Sequence, residues 1–240
     1  MGDLAAPVER AIQSGPFGST LLHSEFGTAG RLVIGIDNVR EGWFSLGAGH
    51  RISEAKYKEL ARYRARPNDF LITVMASIGR TCVVPEDLEP AIITKHVYRI
   101  TLDARVVSPQ FVNLCALGDP TVRAQVFGGA QGGTRPGLNK EILVGILFPI
   151  PPLPEQEKIV VRADALLRKA EQTWSEVRDS MHFPYRLRQS ILHAAFTGRL
   201  VPQDPNDEPA SVLLEIIAAE RAAEAKPAIT RTRAKKARKK

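Results

Sequence analysis

Cysteine is almost missing from this chain: Cys82 and Cys115 are the 2 in 240 residues. So few thiols exclude a disulfide-stapled scaffold, and they fit no metal-ligand spacing. They read as small buried hydrophobes kept reduced in a cytoplasm. Long apolar runs are missing as well. No stretch approaches the ~20 residues that span a bilayer. Met1-Gly2-Asp3 brings no basic leader, and no apolar segment follows it, so no secretory signal is expected. The hydrophobic share of 44% is nevertheless enough to bury a core in one or two domains.

Catalytic signatures are also absent. An adenine-modifying site needs a polar residue, two prolines and an aromatic residue to hold a flipped base. Here Pro151-Pro152 stands between Ile150 and Leu153. Gly128–Gly133 does not spell a dinucleotide fingerprint, and no phosphate-binding glycine loop ending in Lys-Ser or Lys-Thr occurs. Pro85-Glu86-Asp87 lies near Lys95, but Ile93 stands where a nuclease would carry its second acid. His23, His50, His96, His182 and His193 have no paired metal spacing and read as surface or packing residues.

The net charge of +7 suggests a polyanion partner until it is divided along the chain. Residues 226–240 hold Lys226, Arg231, Arg233, Lys235, Lys236, Arg238, Lys239 and Lys240 and no acid. The remaining body is therefore close to neutral. The tail is expected to be disordered and to bind polyanions without sequence preference. It says little about the body.

Residues 1–150 read as a mixed α/β domain. Short β-branched runs bounded by Gly, Pro or Asp predict strands at Arg31–Ile36, Phe70–Met75, Arg80–Val84, Val97–Leu102 and Ile142–Phe148. Glu54–Ala65 and Pro109–Leu117 are predicted helices. The glycines between Gly128 and Gly137 predict a loop. After Pro154 the pattern becomes helical, with acidic Glu155 and Glu157 at the positive end of the helix dipole. Ile159, Ala163, Leu166, Ala170, Thr173, Val177 and Met181 recur at intervals of three and four, a heptad-like seam. A seam of that length needs a partner. The partner is a second copy, the chain's own domain, or the segment Arg186–Phe196 as a separate helix. Pro184 is expected to open that next helix and Gly198 to close it. Pro209 is expected to start a third, with Val212, Leu213, Ile216 and Ile217 on one side. The whole is an α+β chain: a mixed α/β domain, a long coiled-coil-like helix and short C-terminal helices.

Polar loops supply candidate contacts for a nucleic acid. Ser14-Gly15-Pro16-Phe17-Gly18-Ser19 offers amides and hydroxyls suited to phosphate. In it Phe17 reads as a core residue rather than a wedge between bases. Ser77-Ile78-Gly79-Arg80, Thr94-Lys95-His96 and the stretch Gln131, Thr134, Arg135 and Asn139 add longer donors. Arg135 could grip a guanine edge in bidentate fashion. Each of these residues is also compatible with an ordinary turn or surface charge.

Two motifs carry a family resemblance. Pro151-Pro152-Leu153-Pro154-Glu155-Gln156-Glu157-Lys158-Ile159-Val160 resembles the junction in specificity subunits of Type I DNA restriction–modification systems where a target-recognition domain meets a spacer helix. Ser190-Ile191-Leu192, Ala195-Phe196-Thr197-Gly198-Arg199-Leu200-Val201-Pro202-Gln203-Asp204-Pro205, Asp207-Glu208-Pro209-Ala210 and Leu213-Leu214 are similar to the end of the same family's C-terminal region. Ser14–Ser19 and Asn68-Asp69-Phe70-Leu71-Ile72-Thr73 with Ser77–Arg80 are similar to recurring pieces of its recognition domains, although Met75 stands where a polar residue is common.

The resemblance implies a recognition domain over 1–150, a helical spacer and dimerisation region over 151–225, and a basic tail over 226–240. It implies a non-catalytic subunit that reads one half-site of double-stranded DNA and docks methyltransferase subunits, with a restriction motor subunit as a further partner. S-adenosylmethionine, ATP and Mg are then expected on those partners only. Complete relatives carry two recognition domains and two spacer helices, so a homodimer through the seam is expected. Met1-Gly2-Asp3-Leu4 falls where family domains are already under way, which leaves a natural half subunit, a truncation and a C-terminal fragment all open. A stand-alone, antitoxin-like DNA-binding regulator built on the same domain is the alternative.

Overall fold

The computed structural model describes residues 1–129, 137–202, 204 and 206–224. They fall into two compact units, Met1–Ala170 and Glu171–Lys240.

The first unit is built on two four-stranded sheets. One contains β1 (Ile12–Ser14), β8 (Val97–Ile100), β5 (Phe70–Thr73) and β6 (Thr81–Val83) in that spatial order, with every neighbour antiparallel. The other contains β3 (Arg51–Ile52), β2 (Arg31–Ile34), β7 (Ala91–Ile93) and β4 (Arg64–Ala65), with β2 and β7 parallel. β5 explains the arrangement. All four of its residues are buried, because both faces of the strand are covered. Phe70 and Ile72 point to one core, shared with α2 (Pro109–Gly118), α3 (Pro120–Gly129) and α4 (Lys140–Gly145). Leu71 points to the other core, with Leu32, Ile34, Ile92 and Val97. Each such side chain stabilises the fold by roughly 1.5–3 kcal/mol on full burial. Cys82 lies in the second core, and burial pushes its thiol up to about 12. Cys115 is half-buried.

Four predicted strands are present in shortened form, as β2, β5, β6 and β8. Ile142–Phe148 is not a strand. Residues 140–145 form α4, because Asn139 caps it by accepting from the Ile142 N–H at 2.8 Å. Glu54–Ala65 breaks early: α1 covers Glu54–Glu59, a 3₁₀ turn follows at Ala61–Tyr63, and Arg64–Ala65 pairs as β4. Gly128 and Gly129 close α3 rather than opening a loop. Asp119 caps α3, its carboxylate accepting from Thr121 and Val122.

α5 spans Leu153–Phe196, and Pro184 lies inside it rather than starting a new helix. Pro184 withholds one N–H from the ladder without ending it. Arg186–Phe196 is thus part of the helix that carries the seam. In the second unit α5 ends at a turn where the Gly198 and Arg199 N–H groups donate to the carbonyls of Ala195 and Ala194. Gly198 takes φ +67°, which glycine adopts without strain. α6 follows at Ala210–Glu224, directly after Pro209.

Candidate functional site

β1 and β5 run in one direction and β6 and β8 in the other. The C-terminal ends of the first pair and the N-terminal ends of the second therefore meet at one edge of the domain. Three loops remote in sequence emerge there: Ser14–Ser19 after β1, Val74–Arg80 between β5 and β6, and Thr94–His96 before β8. They touch through their backbones. A Cβ on Gly15 would lie 2.2 Å from the carbonyl carbon of Thr94. The Val74 N–H donates to His96 O at 2.9 Å, and the Val74 carbonyl accepts from Leu138 N at 3.1 Å. Residues 137–139 thereby join the same edge.

Thr73 holds the hairpin in shape. Its buried hydroxyl donates to the Ser77 carbonyl and accepts from the Arg80 N–H at 3.0 Å. Gly79 makes the turn at φ +80°, with its N–H on Thr73 O at 2.9 Å. Ser77 and Arg80 are consequently half-buried at the tip. Lys95 is exposed. His96 is half-buried, and its pKa lies below the ordinary histidine value because of desolvation first and the Lys95 charge second. Around a small apolar recess of about 230 Å³ stand Pro16, Leu21, His23, Phe26, Lys95 and His96. The Phe26, His23 and His50 rings form a triangle, with Phe26 5.3 Å from each histidine and the two histidines 6.3 Å apart.

A fourth loop joins this edge without having been singled out. Residues 35–50 leave the end of β2 and are folded around Asn38, whose side chain is buried. Its Oδ1 accepts from Gly35 N at 2.8 Å, and its Nδ2 donates to the carbonyls of Ser45 and Leu46. Gly42 then pins the loop beside β6, its N–H on Thr81 O at 2.9 Å and its carbonyl on Asn113 Nδ2 at 2.8 Å. Trp43 is left 59% exposed and Leu46 60% exposed. The readable signal was Gly35-Ile36-Asp37-Asn38, a turn sequence ahead of an aromatic residue.

Of the sequence candidates, Ser14, Ser19, Ser77, Arg80, Lys95, His96 and Asn139 all belong to this edge. Asn139 commits its Oδ1 to the α4 cap. Gln131, Thr134 and Arg135 lie outside the described residues. Phe17 is not a core residue: it is 58% exposed. The reason is that Pro16, not Phe17, fills the buried position beside Gly15.

The start of α5 is tied to the same unit by Gln156, which is fully buried. Its Oε1 accepts from Ser108 N at 2.9 Å, and its Nε2 donates to Val106 O at 3.1 Å and Pro151 O at 2.8 Å. Farther along, the seam is open to solvent, with Ile159 39%, Leu166 55%, Val177 44% and Met181 73% exposed. Among the described residues no group of His, Cys, Asp or Glu could hold a metal ion, and no helix is long and apolar enough to cross a membrane.

No family model matches the sequence. The chain is 30% identical over 199 residues to the Type I restriction enzyme EcoBI specificity subunit of Escherichia coli, covering 80% of this chain and 42% of that one. Its fold is similar to a chain of the type I R-M system, with a TM-score of 0.59 and 21% identity over 79% of this chain and 44% of the other. It is also similar to the HsdS subunit from Thermoanaerobacter tengcongensis, with a TM-score of 0.56 and 17% identity over 87% and 50% of the two chains. The chain spans about half the length of the relatives it matches.

Proposed function

The chain belongs to the family of Type I restriction–modification specificity subunits, and from that membership we propose that it reads one half-site of a divided DNA sequence. The observation that carries this reading is the gathering of four sequence-distant loops at one edge of the first unit. An edge carrying the polar side chains of Lys95, His96, Arg80, Ser77 and Ser19 suits phosphate positioning and base contacts. The exposed Phe17 and Trp43 add apolar surface there. Arg135, Gln131 and Thr134 belong to the same reading by sequence, because they come just before Gly137–Asn139. Residues 1–150 act as the recognition domain, and residues 151–225 set spacing and pairing.

The chain makes and breaks no bond in this reading. Methyltransferase subunits dock on it and supply S-adenosylmethionine chemistry, and a restriction subunit supplies the ATP-driven step. A second copy covers the α5 seam, so that the assembly reads a symmetric split site. The regulatory, antitoxin-like alternative receives no support from the relatives found.

The test is co-expression with a methyltransferase subunit of the family, followed by genome-wide mapping of methylated adenines. A split motif that appears only when the chain is present is the expected outcome. Methylation that is absent, or the same without the chain, would refute the assignment.

A further inference from the structure

A second feature lies at the opposite end of the same two sheets. Residues just before β1, β5 and β7, and just after β6, surround a cleft of about 720 Å³. That volume is typical of a small-molecule site. Five arginines line it: Arg10, Arg62, Arg64, Arg66 and Arg99. Its two carboxylates are already engaged, Glu9 with Arg10 at 3.2 Å and Glu89 with Arg51 at 2.6 Å. Arg62, Arg64 and Arg66 form no salt bridge among the described residues.

The floor is built rather than incidental. The Arg99 side chain is 4% exposed, and it donates to the carbonyls of Arg64 at 2.9 Å and Arg10 at 2.6 Å, which ties two walls together. Its Nε forms a buried ion pair with the Asp69 carboxylate at 3.8 Å, longer than a hydrogen bond. The Arg64 Nε is buried without an acceptor. Packing holds the guanidinium groups in place: Arg64 lies 4.4 Å over the Tyr57 ring and Arg62 lies 4.6 Å over the Tyr63 ring. Asp69 balances Arg99, so the positive charge in the cleft comes from Arg62, Arg64 and Arg66, and the buried Arg64 Nε adds a donor with no acceptor among the described residues. Arginine, unlike lysine, presents paired N–H groups matched to two oxygens of one oxyanion.

We infer that this cleft is an oxyanion site for a phosphate- or pyrophosphate-bearing ligand, separate from the loop edge proposed to read DNA. The strands place the two on opposite ends of the sheets, so the inference stands whether or not the loop edge reads DNA.

The experiment titrates the full chain with inorganic pyrophosphate at constant ionic strength, by calorimetry and by NMR of the arginine Nε–H groups. Saturable binding that moves the Arg64 and Arg99 Nε–H resonances is expected. The double variant Arg62→Ala/Arg66→Ala changes two exposed side chains and should weaken binding at least tenfold, with Arg66→Lys intermediate. The inference is overturned if pyrophosphate does no more than sodium chloride of equal ionic strength, or if the double variant binds it unchanged. Binding of a target duplex to the double variant separates the two sites. Preserved DNA affinity and preference support a separate site. Loss of both would make the cleft part of the DNA surface and overturn the inference.

Discussion

At the scale of single residues, the edge depends on positions that carry no reactive group. Gly15 lets the Ser14–Ser19 loop lie against the Thr94 backbone, where no Cβ fits. Gly15→Ala should therefore destabilise the fold by about 1–3 kcal/mol. It should also weaken DNA binding more than it lowers stability, because it parts two of the loops proposed to contact DNA. Denaturant unfolding beside a binding titration checks both effects. The longer side chains behave differently. Lys95→Ala should weaken all duplexes alike and lower the salt slope by about one unit. Arg135→Ala should cost about 1–3 kcal/mol and relax one position of the target. If neither variant changes affinity or target choice, both residues are ordinary surface charges. The sequence made these residues visible because they are polar and lie among turn formers. It hid Asn38 and Thr73, whose importance comes from burial and from partners several residues away.

At the scale of elements, what could be read depended on length. β2, β5, β6 and β8 are runs of three or four residues rich in Ile, Leu, Val and Thr and flanked by Gly, Pro or Asp, which is how the sequence reveals them. β3 and β4 have two residues each, too few for any period, and they exist because β2 and β7 offer them edges. Ile142-Leu143-Val144 reads as a strand by composition, yet the Asn139 cap starts a helix there, and only the cap distinguishes the two. Pro184 looks like a boundary but is accommodated within α5. Gln156 was legible only as part of a motif, although it is the residue that fixes where α5 leaves the domain. Gln156→Leu strands the Ser108 N–H and two carbonyls, and one unsatisfied buried group alone costs about 1–3 kcal/mol. Thermal unfolding should shift down accordingly. Loss of methyltransferase docking with unchanged stability would show instead that Gln156 faces a partner.

At the scale of the whole molecule, two expectations follow from the proposed division into a reading domain and a pairing helix. The seam of α5 is open in the single chain, so micromolar samples should scatter light as a dimer. Leu166→Asp should return them to monomers, since a carboxylate in an apolar seam is desolvated without a partner. A wild-type chain that is strictly monomeric would end the pairing argument.

The second expectation is modularity. The resemblance placed the joint at Pro151–Pro154, and in the structure the loop edge lies wholly before that joint. Replacing residues 1–150 with the matching segment of a relative should change the methylated sequence. It should leave methyltransferase binding intact, because the seam residues and the 198–220 segment stay as they are. The exchange must preserve the Gln156 socket, so Val106 and Ser108, or their backbone equivalents, have to be supplied by the incoming domain. Methylome mapping of the chimaera decides the matter. A changed half of a split motif supports the division, and an unchanged motif would move the reading function out of residues 1–150.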